Sequence, residues 1–134
     1  MATQDVVTSC HVQLPVSDQE ARSGLLEQDR IRLGQALAEI ELEEIIGKTK
    51  RWAKAGKLNR GLRLTIPFFD DRSMEIRWLD LEVIPHGRIL FIPAFVVLAA
   101  RREAEKTSCD ESLTPSTREH VLTMLRMLEL AFGR

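Results

Sequence analysis

The chain has 134 residues, a formal net charge of -1, 44% hydrophobic and 29% charged residues. Those proportions exclude a wholly disordered chain, and the length fits a single domain, 1–134, whose core can form without disulfide or metal staples. Tyr is absent and other aromatics are few, which weighs against a large aromatic recognition surface.

The N-terminal segment alternates Val6, Thr8, Cys10, Val12 and Leu14 with Val7, Ser9, His11 and Gln13, the period-two pattern of a half-buried strand that Pro15 closes. It lacks a basic stretch followed by an apolar one, so no secretory signal is expected. Cys10 and Cys109 are too few and too far apart in sequence for a disulfide framework, and they read as free thiols of a reducing, cytoplasmic compartment. No metal or cofactor is implied, since no cysteine or histidine shows ligand spacing.

Ser17 and Glu20 form a capping box and predict a helix start. From Leu25 to Leu58 the pattern is helical with two phases. Leu33, Ala36, Leu37 and Ile40 share one face, whereas Leu42, Ile45, Ile46, Thr49, Trp52 and Ala53 fall on nearly the opposite one. Either the helix breaks near residue 41, or it is apolar on two sides and covered twice. In the second case Leu33, Leu37 and Ile40 form an association face for a homodimer or a partner helix, and Trp52 is a core anchor. Gly34 and Gly47 are the weak points of such a helix.

Across the same segment the charge changes sign. Glu39, Glu41, Glu43 and Glu44 precede Lys48, Lys50, Arg51, Lys54, Lys57, Arg60 and Arg63, and no acid occurs from Ile45 to Phe69. Clustered cations reinforce one another's field and attract an acidic protein or a phosphate backbone. On a helix, Lys50, Lys54 and Lys57 project together away from Trp52, which leaves phosphate contact rather than base stacking as the nucleic-acid reading. The bland alternative is a solvated helix end whose charges offset the macrodipole.

Leu62, Leu64, Ile66 and Phe68 alternate as a strand, with Pro67 placing it at a sheet edge or bending it there, and Asp70 to Ser73 supply a turn. Met74, Ile76 and Trp78, then Leu79, Leu81 and Val83, predict a second strand with a bulge or a bend at Trp78-Leu79. Pro85-His86-Gly87 reads as a turn and Arg88 to Ile92 as a third strand. A helix follows from Pro93 to about Lys106. Thr107 to Ser112 is a polar loop, and Thr114 with Pro115 starts a last helix whose buried stripe is Val121, Met124, Leu125, Leu128, Ala131 and Phe132. The longest apolar run, Ile89 to Ala100, contains Pro93 and is too short to span a bilayer. The expected fold is therefore α+β, in the order β-α(α)-β-β-β-α-α, with a mainly antiparallel three- to four-stranded sheet covered by helices.

No nucleophile-elbow, phosphate-loop, zincin, EF-hand or dinucleotide fingerprint occurs. The residues best suited to catalysis are Asp70, Asp71 and His86, all on expected turns, where Asp and a Gly-flanked His are also ordinary structural choices. The leading expectation is a small non-enzymatic protein-binding module of adaptor, chaperone or inhibitor type, docking through the basic helix and an apolar helical surface. The alternative is a nucleic-acid-binding regulator using Lys48 to Arg63, and the third is an enzyme built on Asp70, Asp71 or His86.

Overall fold

The computed structural model describes residues 16–56, 61–84 and 92–133, with side chains from residue 26 onward. Three helices and one hairpin follow in the order α1 (Val16–Lys54), β1 (Leu62–Asp70), β2 (Glu75–Val83), α2 (Ile92–Ser108) and α3 (Pro115–Phe132). The chain divides after Arg30 into two units. The described part of the first, residues 16–30, is helical. The hairpin, α2, α3, the rest of α1 and the core belong to the second.

The α+β class holds, but the three- to four-stranded sheet does not: the described residues form a single two-stranded antiparallel sheet. The strand expected over residues 6–14 lies outside them. So does most of the third, and its last residue, Ile92, is the first of α2. A short β-branched run beside a proline is compatible with either state, and burial of Ile92 among helical neighbours decides it.

β1 and β2 pair without interruption from Leu62↔Val83 to Asp70↔Glu75. The bulge expected at Trp78-Leu79 is absent. The change in apolar phase there arises because Trp78, opposite Pro67, is on the outer face and exposed, while Leu79, Leu81 and Val83 face inward with Leu62, Leu64 and Ile66. Met74 closes the turn at φ 58, a left-handed conformation unusual for a side chain of its size.

α1 runs unbroken through residue 41. Its core stripe is Ala38, Leu42 and Thr49, with Ile45, Ile46 and Ala53 partly buried beside them. Gly56, at φ 68, follows the helix and its amide donates to the Ala53 carbonyl, the left-handed close for which glycine has no Cβ penalty. α2 extends through Lys106 to Ser108 with Thr107 buried, so the expected polar loop is shorter. α3 follows its expected pattern. Thr114 caps it, accepting from the Thr117 amide, Pro115 opens it, and Val121, Met124, Leu125, Leu128 and Phe132 are buried. These residues, the inward face of the hairpin, Val96 and Ala100 of α2, and Ala38 and Leu42 of α1 make one core cluster.

Candidate functional site

α1 and α3 run side by side in the same sense. The Glu39 charge acts on His120 near the start of α3, and the Lys50 ammonium sits 5.6 Å from the centroid of Phe132 at its end. Both C-termini, and the negative ends of both dipoles, thus come to the same end of the pair. The last turn of α1 carries Arg51 and Lys54, whereas that of α3 carries no basic residue. Lys50, reaching across to Phe132, supplies a cation there from the neighbouring helix.

Between the two helices, toward that end, is a groove of about 640 Å³. Ile46 and Ala53 of α1 and Met127, Leu130, Ala131 and Phe132 of α3 make it apolar, and Pro93 closes one side. Lys50, Lys54 and Glu43 form its charged border along α1. Leu130 is half exposed, so apolar surface is offered directly to solvent beside two cations.

The basic block is therefore split rather than continuous. Lys50 and Lys54 border the groove, while Lys48 and Arg51 are exposed elsewhere on α1. Arg63 is on β1, 3.6 Å from Glu82 of β2, which offsets its charge. Lys57 and Arg60 lie outside the described residues. Trp52 is 39% exposed and is not a core anchor: the core stripe passes through Thr49 and Ala53, and Lys48 lies 4.8 Å from the centroid of the indole. The expected geometry that barred the ring from stacking does not hold.

Leu33, Leu37 and Ile40 are all exposed, opposite the core stripe of the same helix. This is the two-sided arrangement, not the break.

Both acidic candidates are engaged in hydrogen bonds within the fold. Asp70 accepts from the Arg72 amide at 3.0 Å and from Arg77 Nη1 at 2.9 Å. Burial alone would raise its carboxyl, but those hydrogen bonds and the two positive charges outweigh it and hold it below the ordinary aspartate value. Asp71 ties the hairpin turn to α3: Oδ1 accepts from the Thr114 and Thr117 hydroxyls at 2.7 and 2.8 Å, and its amide donates to Thr117 Oγ1 at 3.3 Å. His86 lies outside the described residues. His120, which the sequence left without a role, is buried with Nε2 unpartnered among the described residues. Burial pushes its pKa down, against the pull of Glu39.

A second depression, about 440 Å³, lies between β2 and α2. Arg63, Arg102 and Lys106 mix there with Asp80, Glu82 and Glu103, so it selects for neither sign of charge. Among the described residues no cluster of three His, Cys, Asp or Glu side chains is placed to hold a metal ion, and no helix is long and apolar enough to cross a membrane. Compared with known proteins, the chain matches no family model, no curated protein and no solved structure.

Proposed function

We propose that this chain is a non-enzymatic protein-binding module, of adaptor, chaperone or inhibitor type, that takes a helical segment carrying apolar and acidic side chains into the groove between α1 and α3. The observation that supports this reading is the placement of Lys50 and Lys54 along an apolar trench lined by Ile46, Met127, Leu130 and Phe132. Burial of apolar surface supplies the affinity, and the lysines raise the encounter rate and reject basic partners. Helix-in-groove docking needs this combination of an apolar channel and charged banks.

A photo-crosslinking side chain at Leu130, with one at Arg102 as control, tests it in extracts of the native host. Protein adducts confined to the Leu130 position and lost in Lys50→Glu/Lys54→Glu support the reading. Equal adducts at both positions, or none, overturn it.

The nucleic-acid alternative draws on one observation, the exposed Trp52 ring with the Lys48 ammonium 4.8 Å from its centroid, because an accessible indole beside a cation suits base stacking with phosphate contact. On that reading single-stranded nucleic acid quenches Trp52 emission, and Trp52→Leu removes both the quenching and most of the affinity.

A further inference from the structure

The exposed stripe of α1 does not end at the helix. A Cβ on Gly34 would overlap the Phe69 ring, so that ring ties the outer face of the hairpin to the flank of α1 carrying Gly34. At 100° per residue Leu37 lies about 60° from the Gly34 line, toward Leu33 and Ile40. Beside Phe69 on the same face of the hairpin are Ile76, its cross-strand pair, and Trp78, two residues further along β2. Leu33, Leu37 and Ile40 are 60%, 46% and 54% exposed and Trp78 is 49% exposed. Helix and hairpin together thus offer one apolar surface with an indole at its side.

The Ile40 end of that surface is acidic. Glu41 is about 20° from the Gly34 line and about 10 Å beyond it along the helix, while Glu44 continues the Leu37-Ile40 line by one turn. Glu39 and Glu43 lie on the other flank of the stripe, and Arg32 is the cation nearest to them there. None of the four glutamates forms an ion pair among the described residues. The cations that follow are engaged elsewhere: Lys48 stands over the Trp52 ring, Arg63 lies beside Glu82, and Arg77 donates to Asp70. Glu41 Oε2 is shut off from solvent and has no hydrogen-bond partner among the described residues. A carboxylate left in that state favours any donor that a partner brings.

We propose that this surface is a second docking site, on the flank of α1 away from the groove, and that its occupant is a helical segment presenting apolar and basic side chains. Apolar groups of the segment cover Leu37, Ile40 and Trp78, and its lysines or arginines reach Glu41 and Glu44. An acidic or phosphate-bearing partner would set like charge against those glutamates. The groove prefers the opposite sign, so a single helix, α1, holds two partners of opposite charge and joins them. This site stands whether or not the groove is occupied.

Trp52→Phe leaves Trp78 as the only tryptophan and makes it a probe of the site. Two synthetic amphipathic helices of equal length, one of Leu and Lys and one of Leu and Glu, are titrated into that chain, with circular dichroism confirming that each variant is folded. The Leu/Lys peptide should move Trp78 emission to the blue and saturate, and the Leu/Glu peptide should not. Leu37→Ser should weaken binding about tenfold, and so should Glu41→Gln combined with Glu44→Gln. Glu105→Lys, at an exposed position of α2, changes the net charge as much as that double variant does and should stay within about twofold of the parent. Lys50→Glu/Lys54→Glu, at the groove, should not weaken binding.

Trp78 emission unmoved by about 300 µM Leu/Lys peptide overturns the proposal. So does an equal response to the Leu/Glu peptide. A loss in Glu105→Lys as large as that in the double glutamine variant reduces the binding to general attraction, and a loss in Lys50→Glu/Lys54→Glu moves the peptide to the groove. Either result overturns the second site. A blue shift on concentrating the chain alone assigns the face to a second copy and overturns it as well.

Discussion

The aromatic ring of Phe69 lies directly over the bare Cα of Gly34, in the space a Cβ would occupy. This contact explains a glycine that helix propensity alone counts as a defect. It also explains how Phe69, on the outer face of the hairpin, is only 5% exposed. Gly34→Ala gains about 1 kcal/mol of helix propensity but drives a methyl into the ring, and overpacking of this kind costs about 1–3 kcal/mol. We expect a lower urea midpoint for Gly34→Ala and, in dilute solution, an unchanged or higher one for Gly47→Ala, whose Cβ would meet only the Arg51 guanidinium at 3.5 Å. A Gly34→Ala chain as stable as wild type shows that the ring yields.

Asp71 holds the hairpin turn to the first turn of α3 through Thr114 and Thr117, and Thr117 is 1% exposed. Removing the carboxylate leaves two hydroxyls short of an acceptor and weakens the cap. Asp71→Ala should therefore cost about 1–3 kcal/mol in a denaturant titration, and Asp71→Asn, which keeps an acceptor oxygen, less. Equal losses would mean that the charge rather than the hydrogen bonds matters.

His120 gives the fold a pH dependence of definite sign. Burial lowers its pKa in the folded chain below the unfolded value of about 6.5. The unfolded chain therefore binds the proton more readily, so this contribution is present in full above about pH 6.5 and is lost as pH falls toward the folded value. Glu39, the charged group facing it from α1, favours the protonated ring and reduces the effect. Thermal melts from pH 7.5 to 5 should show a falling midpoint in wild type and a shallower fall in His120→Gln. Parallel slopes would assign the pH dependence to other groups.

How far these features were legible varies with whether they depend on one element or several. The Thr114-Pro115 start of α3 and its Val121, Met124, Leu125 and Leu128 stripe depend only on local spacing, and both stand. Leu33, Leu37 and Ile40 stood out as a second phase for the same reason. Trp52 failed because periodicity gives a direction without saying how wide the covered arc is. It lies about 60° from the Thr49 line at 100° per residue, and the core ends inside that arc. Lys50 was legible as a cation but not as the border of a groove, because the facing wall, Met127 to Phe132, comes from the far end of the chain. The sheet was overcounted at Ile92, where an apolar run beside Pro93 carries no periodicity that separates strand from helix.

Lys50 and Lys54 are one turn apart on α1 and border the same groove, yet they should differ in what they do for the fold. Lys50 stands over Phe132, at the end of a helix whose last turn has no cation of its own, so it combines a cation–π contact with a favourable place beside the α3 dipole. Its removal should cost about 0.5–1 kcal/mol. Among the described residues Lys54 has no such ring beside it, and Arg51 remains in the last turn of α1 when it is gone. Lys54→Ala should stay within about 0.5 kcal/mol of wild type. Lys50→Met keeps much of the stem over the ring without the charge, and Lys50→Ala loses both. If Met costs as much as Ala, the charge carries the effect, and the cost should shrink at high salt as the dipole and ammonium are screened. Denaturation curves of the three variants at low and high salt decide this. A Lys50→Ala chain indistinguishable from Lys54→Ala would show that the ammonium over Phe132 contributes nothing, and would make both lysines free surface charges.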